Sequence, residues 1–290
     1  MRQMLVVGPF PWKAVGVSPD DWTHCEVHES LGEADAVRRL RARAYDVLVT
    51  SPILPAQRDF ALVAEAREYQ PGIRTVVLAP ELTARDVITA LRSDVFSCFT
   101  MPVPAVELRE SIATALDADG WNSGLEVISA IPSWIALKVA CRRTTADRLT
   151  RFITELAAGV PELDRLALAT AFREVLLNAM EHGAGFDDSK VIEVAAIRTQ
   201  RAIVYYFKDP GPGFDPRAPG LVATDDDPLS HLAHREAAGK RAGGFGMLLT
   251  GKLVDEVHYS ERANEVFLVK HLDKLGIEAP REVGMTAADQ

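Results

Sequence analysis

The sequence predicts two domains in series, a doubly wound parallel α/β sheet followed by a two-layer α+β sandwich. Three observations carry this. Residues 1–118 alternate short, unbroken apolar runs with amphipathic ones. A polar stretch with two glycines, "DADGWNSG" at 117–124, then interrupts the pattern. Beyond it, helical runs and strand runs come in groups, which is the order of an α+β layer pair.

In the first part, "MLVVG" (4–8), "YDVLVTS" (45–51), "IRTVVLA" (73–79) and "VFSCFTM" (95–101) read as strands, with another short one around 20–29. Their apolar residues do not alternate with polar ones, so the sheet is expected to be buried on both faces. Helices are predicted over 31–44, 59–70, 82–93 and 104–116. Strand–helix–strand repeats of this kind give right-handed crossovers and parallel pairing. In the second part, 133–143 has strand character, and 144–159 and 161–183 read as helices. Thr144 or Thr145 could cap the first of these; Pro161 and Gly183 bracket the second. An antiparallel pair over 190–199 and 202–211, a helix over 246–257 and final strands over 258–272 complete the reading. The domains are set at 1–118 and 128–274, with a linker at 119–127 and a flexible tail at 275–290.

The chain has 290 residues, enough for about two domains of ordinary size. Its 32 basic and 41 acidic residues give a net charge of −9. That balance argues against direct binding to nucleic acid or an anionic membrane, both of which need a basic footprint. Cys25, Cys98 and Cys141 are scattered, which excludes a disulfide framework or a zinc site built on paired cysteines. The apolar run in "MRQMLVVGPFPWK" is too short for a signal peptide or membrane span, so a cytoplasmic protein is expected.

"YDVLVTSPILP" and "DVFSCFTMPV" resemble the third strand and the last strand with its proline turn in two-component receiver domains. The resemblance covers roughly residues 1–118, but the residues that perform phosphoryl chemistry are replaced. Gly8 and Pro9 stand where the acidic pair would hold magnesium, Ser51 at the phospho-accepting aspartate, Ala79 at the small hydroxyl residue and Met101 at the lysine. Without a carboxylate nucleophile and a cation, the usual aspartyl phosphate cannot form. The segment reads as a pseudo-receiver for regulation or dimerisation. Ser51 itself reads as a strand-end residue before Pro52, or as a target of a separate kinase.

Chemistry concentrates in the second part. "FREVLLNAMEHGAG" (172–185) spaces Glu174, Asn178 and His182 four apart, which on a helix makes one polar row. "DPGPGFD" (209–215) places Asp209 where an apolar strand ends, with Gly211 and Gly213 allowing close backbone approach. "KRAGGFGM" (240–247) sets Gly243, Gly244 and Gly246 at a helix start, whose free N–H groups suit phosphates. Together and in this order, the three resemble the nucleotide-binding boxes of the histidine-kinase-like ATPase superfamily. The form E-x-x-x-N-A-x-x-H-G, seen at Glu174, Asn178, Ala179, His182 and Gly183, resembles its anti-sigma-factor serine/threonine kinases.

That resemblance implies a histidine-kinase-like sandwich that binds ATP and Mg²⁺ and phosphorylates a serine or threonine. Glu174 would be the general base and Asn178 the Mg²⁺ ligand. Asp209 would accept from the adenine amino group, with Gly211 and Gly213 beneath the ring. Gly243, Gly244 and Gly246 would cradle the phosphates. His182 and Lys208 would be neighbours of the site, and residues 216–242 a lid. His182 also fits as a partner of the helix dipole, Lys240 and Arg241 as lid residues or γ-phosphate contacts, and Asp225–Asp227 as a solvated acidic loop. The partners implied are an anti-anti-sigma-type (STAS) protein, a sigma factor and a second copy in a homodimer. Ala263-Asn264 stands where the family often has Gly-Thr, which keeps a second reading open: a catalytically inactive ATP-sensing interaction module.

Overall fold

The strands of the first sheet are β1 (Arg2–Val7), β2 (Cys25–Ser30), β3 (Val47–Val49), β4 (Arg74–Ala79) and β5 (Ser97–Thr100), with aliphatic runs in the inner strands β1, β3 and β4. All neighbours pair in parallel, in the order β2-β1-β3-β4-β5, a flavodoxin-like doubly wound order. The crossovers carry helices α1 (Trp12–Val15), α2 (Glu33–Ala42), α3 (Ala56–Tyr69), α4 (Ala84–Arg92) and α5 (Ala105–Asp117). This computed structural model describes residues 1–53, 55–117, 124–131, 133–157, 159–213 and 245–275. Met4, Val6, Val49 and Leu78 pack with Leu108 and Ile112 of α5 on one face; Leu5, Val7 and Leu48 pack with Ala36, Leu40 and Leu62 of α2 and α3 on the other. Burial on both faces is why the inner strands β1, β3 and β4 carry no polar alternation; β2, at the sheet edge, is half-buried and mixed in character.

Ser51 and Asp59 are among the polar residues sealed inside this domain. The Ser51 hydroxyl, 2% exposed as a residue, donates to the Pro9 carbonyl at 3.0 Å. It ties the ends of β1 and β3 together, which favours the structural reading of this serine over that of a kinase target. Asp59 of α3 is fully buried, and neither carboxyl oxygen has a hydrogen-bond partner among the described residues. Burial pushes its pKa up to about 8; Thr50 pulls it down and Glu33 adds to the rise.

The second sheet is antiparallel throughout. Its strands are β6 (Leu125–Ile131), β7 (Trp134–Ala140), β8 (Val191–Arg198), β9 (Ala202–Lys208), β10 (Glu256–Tyr259) and β11 (Glu265–His271), in the order β10-β11-β9-β8-β7-β6. Helices α6 (Arg143–Leu156) and α7 (Glu162–Asn178) cover one face, and α8 (Phe245–Leu253) lies beside α7. Phe172 of α7 centres this core, with its ring 5.1 Å from Tyr205 and 4.9 Å from Phe207.

Three local expectations change. β6 starts at Leu125, inside the stretch read as linker. Arg142 precedes α6 without a side-chain cap, and Thr145 is inside the helix and buried. The helix expected to reach 257 stops at Leu253, because Asp255 joins the sheet: its N–H donates to the Val269 carbonyl and its carboxylate accepts from the His271 N–H. Residues 276–290 and Trp121 lie outside the described residues.

The two sheets share one core. Val87, Ile88 and Leu91 of α4 belong to the same buried cluster as Leu149, Phe152 and Ile153 of α6. Arg148, 3% exposed, reaches from α6 into the first domain and donates to the carbonyls of Phe96 (2.8 Å) and Val95 (2.9 Å). Burial lowers its pKa to about 10, which still leaves it charged at neutral pH. Thr100 of β5 donates through Oγ1 to Glu155 Oε2 at 2.6 Å, and Arg92 of α4 donates to the Ala130 carbonyl at 2.7 Å.

Candidate functional site

α7 presents Glu174 and Asn178, both half-buried, one turn apart. The first turn of α8 comes directly against them. A Cβ added to Gly246 would stand 2.7 Å from Glu174 Oε2 and 3.6 Å from Asn178 Nδ2, so any larger residue would have to push the Glu174 carboxylate aside. A carboxylate, a carboxamide and an opening helix N-terminus therefore meet at one place.

The α-helix ends at Asn178, and a π-helical turn, Ala179–Gly183, follows. Its wider repeat moves His182 off the α-helical row, and His182 is exposed. The expected row of three is thus a row of two. Gly183 ends the helical segment, as expected, and has a second part. A Cβ there would collide with the Asp209 carboxylate, and one on Gly211 would lie 2.8 Å from both Asp209 Oδ1 and Gly183 Cα. Gly183, Asp209 and Gly211 form a second cluster, about 13 Å from Glu174 along the helix axis at ~1.5 Å per residue.

Asp209 sits just past β9 and is held from several sides. Its Oδ1 accepts from the Gly211 N–H at 2.8 Å, its own N–H donates to the Asn264 carbonyl at 3.0 Å, and Asn264 Nδ2 approaches its carbonyl at 3.5 Å. Partial burial raises the Asp209 pKa, and the Gly211 N–H pulls it back down. Gly213 has φ +81° and packs against the Arg262 backbone, where a Cβ would collide. Asn264, noted in the sequence only as a departure, is a structural neighbour of Asp209 that spacing alone does not reveal. Ala263 beside it adopts φ +52°, a region that favours glycine.

Lys208 is 3.5 Å from Glu265 and lines a pocket with Ser260, Arg262 and Asn264 beside this cluster. Gly243, Gly244, residues 216–242, Asp225–Asp227, Lys240 and Arg241 lie outside the described residues. Among the described residues no group of three or more His, Cys, Asp or Glu could hold a metal. No described helix is long and apolar enough to cross a membrane.

Residues 139–270 match the family model described as a histidine kinase-like ATPase domain. The match runs from the end of β7 through most of β11 and contains every box residue named above; such a domain implies ATP as its ligand. Solved structures similar to this chain include receiver domains. A CheY-like receiver domain protein from Methanospirillum hungatei JF-1 is 16% identical, with 40% of this chain and 94% of that chain covered and a TM-score of 0.34. A response regulator from Thermotoga maritima is 16% identical over 41% and 99% (TM-score 0.35). The non-phosphorylated HemR receiver domain from Leptospira biflexa is 13% identical over 42% and 99% (TM-score 0.37). The first domain's fold is assigned from its own strand order, not from these likenesses. A comparison with curated proteins gave no match.

The contact between Gly183 and Asp209 yields a direct expectation. Gly183→Ala forces the Asp209 carboxylate aside, an overpacking cost of about 1–3 kcal/mol. Urea unfolding should show that loss, and Mg·ATP affinity should fall with it. Unchanged stability would mean that the Asp209 loop gives way freely.

Proposed function

We infer that the ATPase domain binds Mg·ATP and transfers the γ-phosphoryl group to a serine or threonine of a partner protein. The observation that carries this reading is the meeting of Glu174, Asn178 and the α8 N-terminus at Gly246, with Asp209 displaced along the same helix. That separation suits a ligand with phosphates at one end and a base at the other. The residues fit the group: Gly246 leaves a cradle that a Cβ would fill, and the Asp209 carboxylate can accept a hydrogen bond from an amino group.

In this reading Asp209 orients adenine above Gly211 and Gly213. Asn178 would offer its amide oxygen to Mg²⁺, which would neutralise phosphate charge there. Gly246, with Gly243 and Gly244, presents backbone N–H groups to the phosphates. Glu174 takes the proton from the attacking hydroxyl. His182 lies at the rim. Bound ATP supplies the phosphoryl group itself, so the chain's task is positioning and charge placement. The form of the first box further supports an anti-sigma, partner-switching role. The acceptor would be an anti-anti-sigma-type protein, with a sigma factor as the second partner of a homodimer. The first domain, lacking a phosphoryl-accepting aspartate, would act through its contacts.

Calorimetric titration with Mg·ATP tests the site. Micromolar binding is expected, weakened tenfold or more in Asn178→Ala and Asp209→Asn. The carboxamide introduced by Asp209→Asn can still accept from the Gly211 N–H, so a loss of binding in that variant reports recognition rather than collapse. The wild type failing to bind would sink the reading. Binding without transfer would favour an ATP-sensing module, the reading to which Ala263-Asn264 lends weight.

A further inference from the structure

α7 is apolar over more of its circumference than the fold covers. Leu168, Ala171, Phe172, Val175 and Leu176 pack into the core with the sheet. α6 takes one flank, where Arg173 meets Asp147 at 2.9 Å, and α8 takes the other. The remaining strip faces solvent. At ~100° per residue, Leu163, Leu166, Thr170, Glu174 and Leu177 fall within about 80° of one another. Leu163 is 82% exposed and Leu166 49%, and Thr170 is exposed between them and Glu174. A helix that is apolar all round is ordinarily covered all round.

α8 widens this strip. It begins against Glu174, at Gly246, and ends at Leu253. Two residues on, Asp255 accepts from the His271 N–H, and Lys270 beside it lies 3.0 Å from Asp164 in the first turn of α7. α8 therefore runs back along α7, and its Leu249, 41% exposed, stands beside the α7 leucines. Two charges at the edges of the strip, Asp164 and Arg173, are already paired within the chain. What the strip offers a partner is apolar contact.

The direction of the reaction selects that partner. Glu174 divides α7. On its C-terminal side lie Asn178, Gly183 and Asp209, the side given above to the nucleotide. On its N-terminal side lie Leu166 and Leu163, about 12 and 16 Å away at ~1.5 Å per residue. Phosphoryl transfer keeps the attacking and leaving oxygens roughly in line. ADP leaves toward Asp209, so the attacking hydroxyl arrives over the N-terminal half of α7. The protein that carries this hydroxyl must lie on the exposed leucines.

We propose that the N-terminal half of α7, with Leu249 of α8, is the docking surface for the acceptor protein. The acceptor seats apolar side chains on Leu163 and Leu166, about 12–16 Å from the serine or threonine that it presents to Glu174. This docking presupposes the phosphoryl transfer inferred above.

Leu163→Gln with Leu166→Gln keeps helix propensity and alters only an exposed surface. Single-turnover transfer from labelled ATP is followed over a range of concentrations of a single-domain anti-anti-sigma-type protein as acceptor probe. The double variant should need at least tenfold more acceptor for half-maximal transfer. Its maximal rate, its Mg·ATP affinity and its denaturation midpoint should match the wild type. An acceptor requirement unmoved by the double variant, with a wild type that transfers, overturns the docking surface and leaves the transfer reading standing. A wild type that binds Mg·ATP and transfers nothing overturns both. A double variant that changes its sedimentation, or unfolds more readily, without acceptor would assign the leucines to a second copy or to the chain itself, and would equally overturn the proposal.

Discussion

Glu174→Ala is expected to lower phosphoryl transfer by about 10²–10⁴, the range a positioned general base contributes, while Mg·ATP still binds. The reason is geometric. The Glu174 carboxylate lies against Gly246 at the start of α8, whereas Asp209 sits at the far end of the helix by Gly183. Removing Glu174 leaves Asn178, the α8 N-terminus and the Asp209 cluster in place. The measurement is single-turnover transfer from labelled ATP to an anti-anti-sigma-type protein, with calorimetric binding in parallel. Glu174→Gln should be as inactive, because an amide keeps the shape and cannot accept the proton. Loss of ATP binding in both variants would make Glu174 a binding residue and remove the base assignment.

A comparable effect is expected on stability, far from the site. Asp59 is fully buried, and its pKa rises from an ordinary 3.8 to about 8. The folded state therefore holds a proton that the unfolded chain releases near pH 4. Stability from this group is complete below that pH and is lost as pH rises toward 8. The slope is about 1.4 kcal/mol per unit, or about 4 kcal/mol between pH 5 and 8. Asp59→Asn removes the titration. Denaturation midpoints of wild type and variant should diverge steadily from pH 5 to 8, with the variant the more resistant at the alkaline end. Parallel curves would show that Asp59 ionises in place, stabilised by Thr50 or by water.

The first sheet was legible because doubly buried strands must carry unbroken apolar runs, as β1 does over Met4–Val7 and β4 over Val76–Ala79. β6 was not: it mixes Glu126 and Ser129 with apolar residues, carries an irregularity between Val127 and Ser129, and follows a polar stretch. The end of α8 was hidden for another reason. "GKLVDEV" has helical periodicity, and only the hydrogen bonds of Asp255 to β11 draw it into the sheet. At the site, Glu174 and Asn178 could be paired from their spacing because an α-helix enforces it. His182 could not, since nothing in "NAMEHG" announces the π-helical turn. The convergence of Gly183 with Asp209 joins residues distant in the chain, and a glycine read alone looks like a helix end.

The arginine that crosses between the sheets bears on inheritance as well as on architecture. Arg148 satisfies two carbonyls of the first domain from a helix of the second, inside a cluster to which both contribute. Damage to α4 or β5 therefore acts on the second domain as well as on the first. A genetic screen for lost function of the second domain would return changes in the first. The first domain stays under selection for that reason alone, because it completes the core and satisfies the buried arginine of its neighbour.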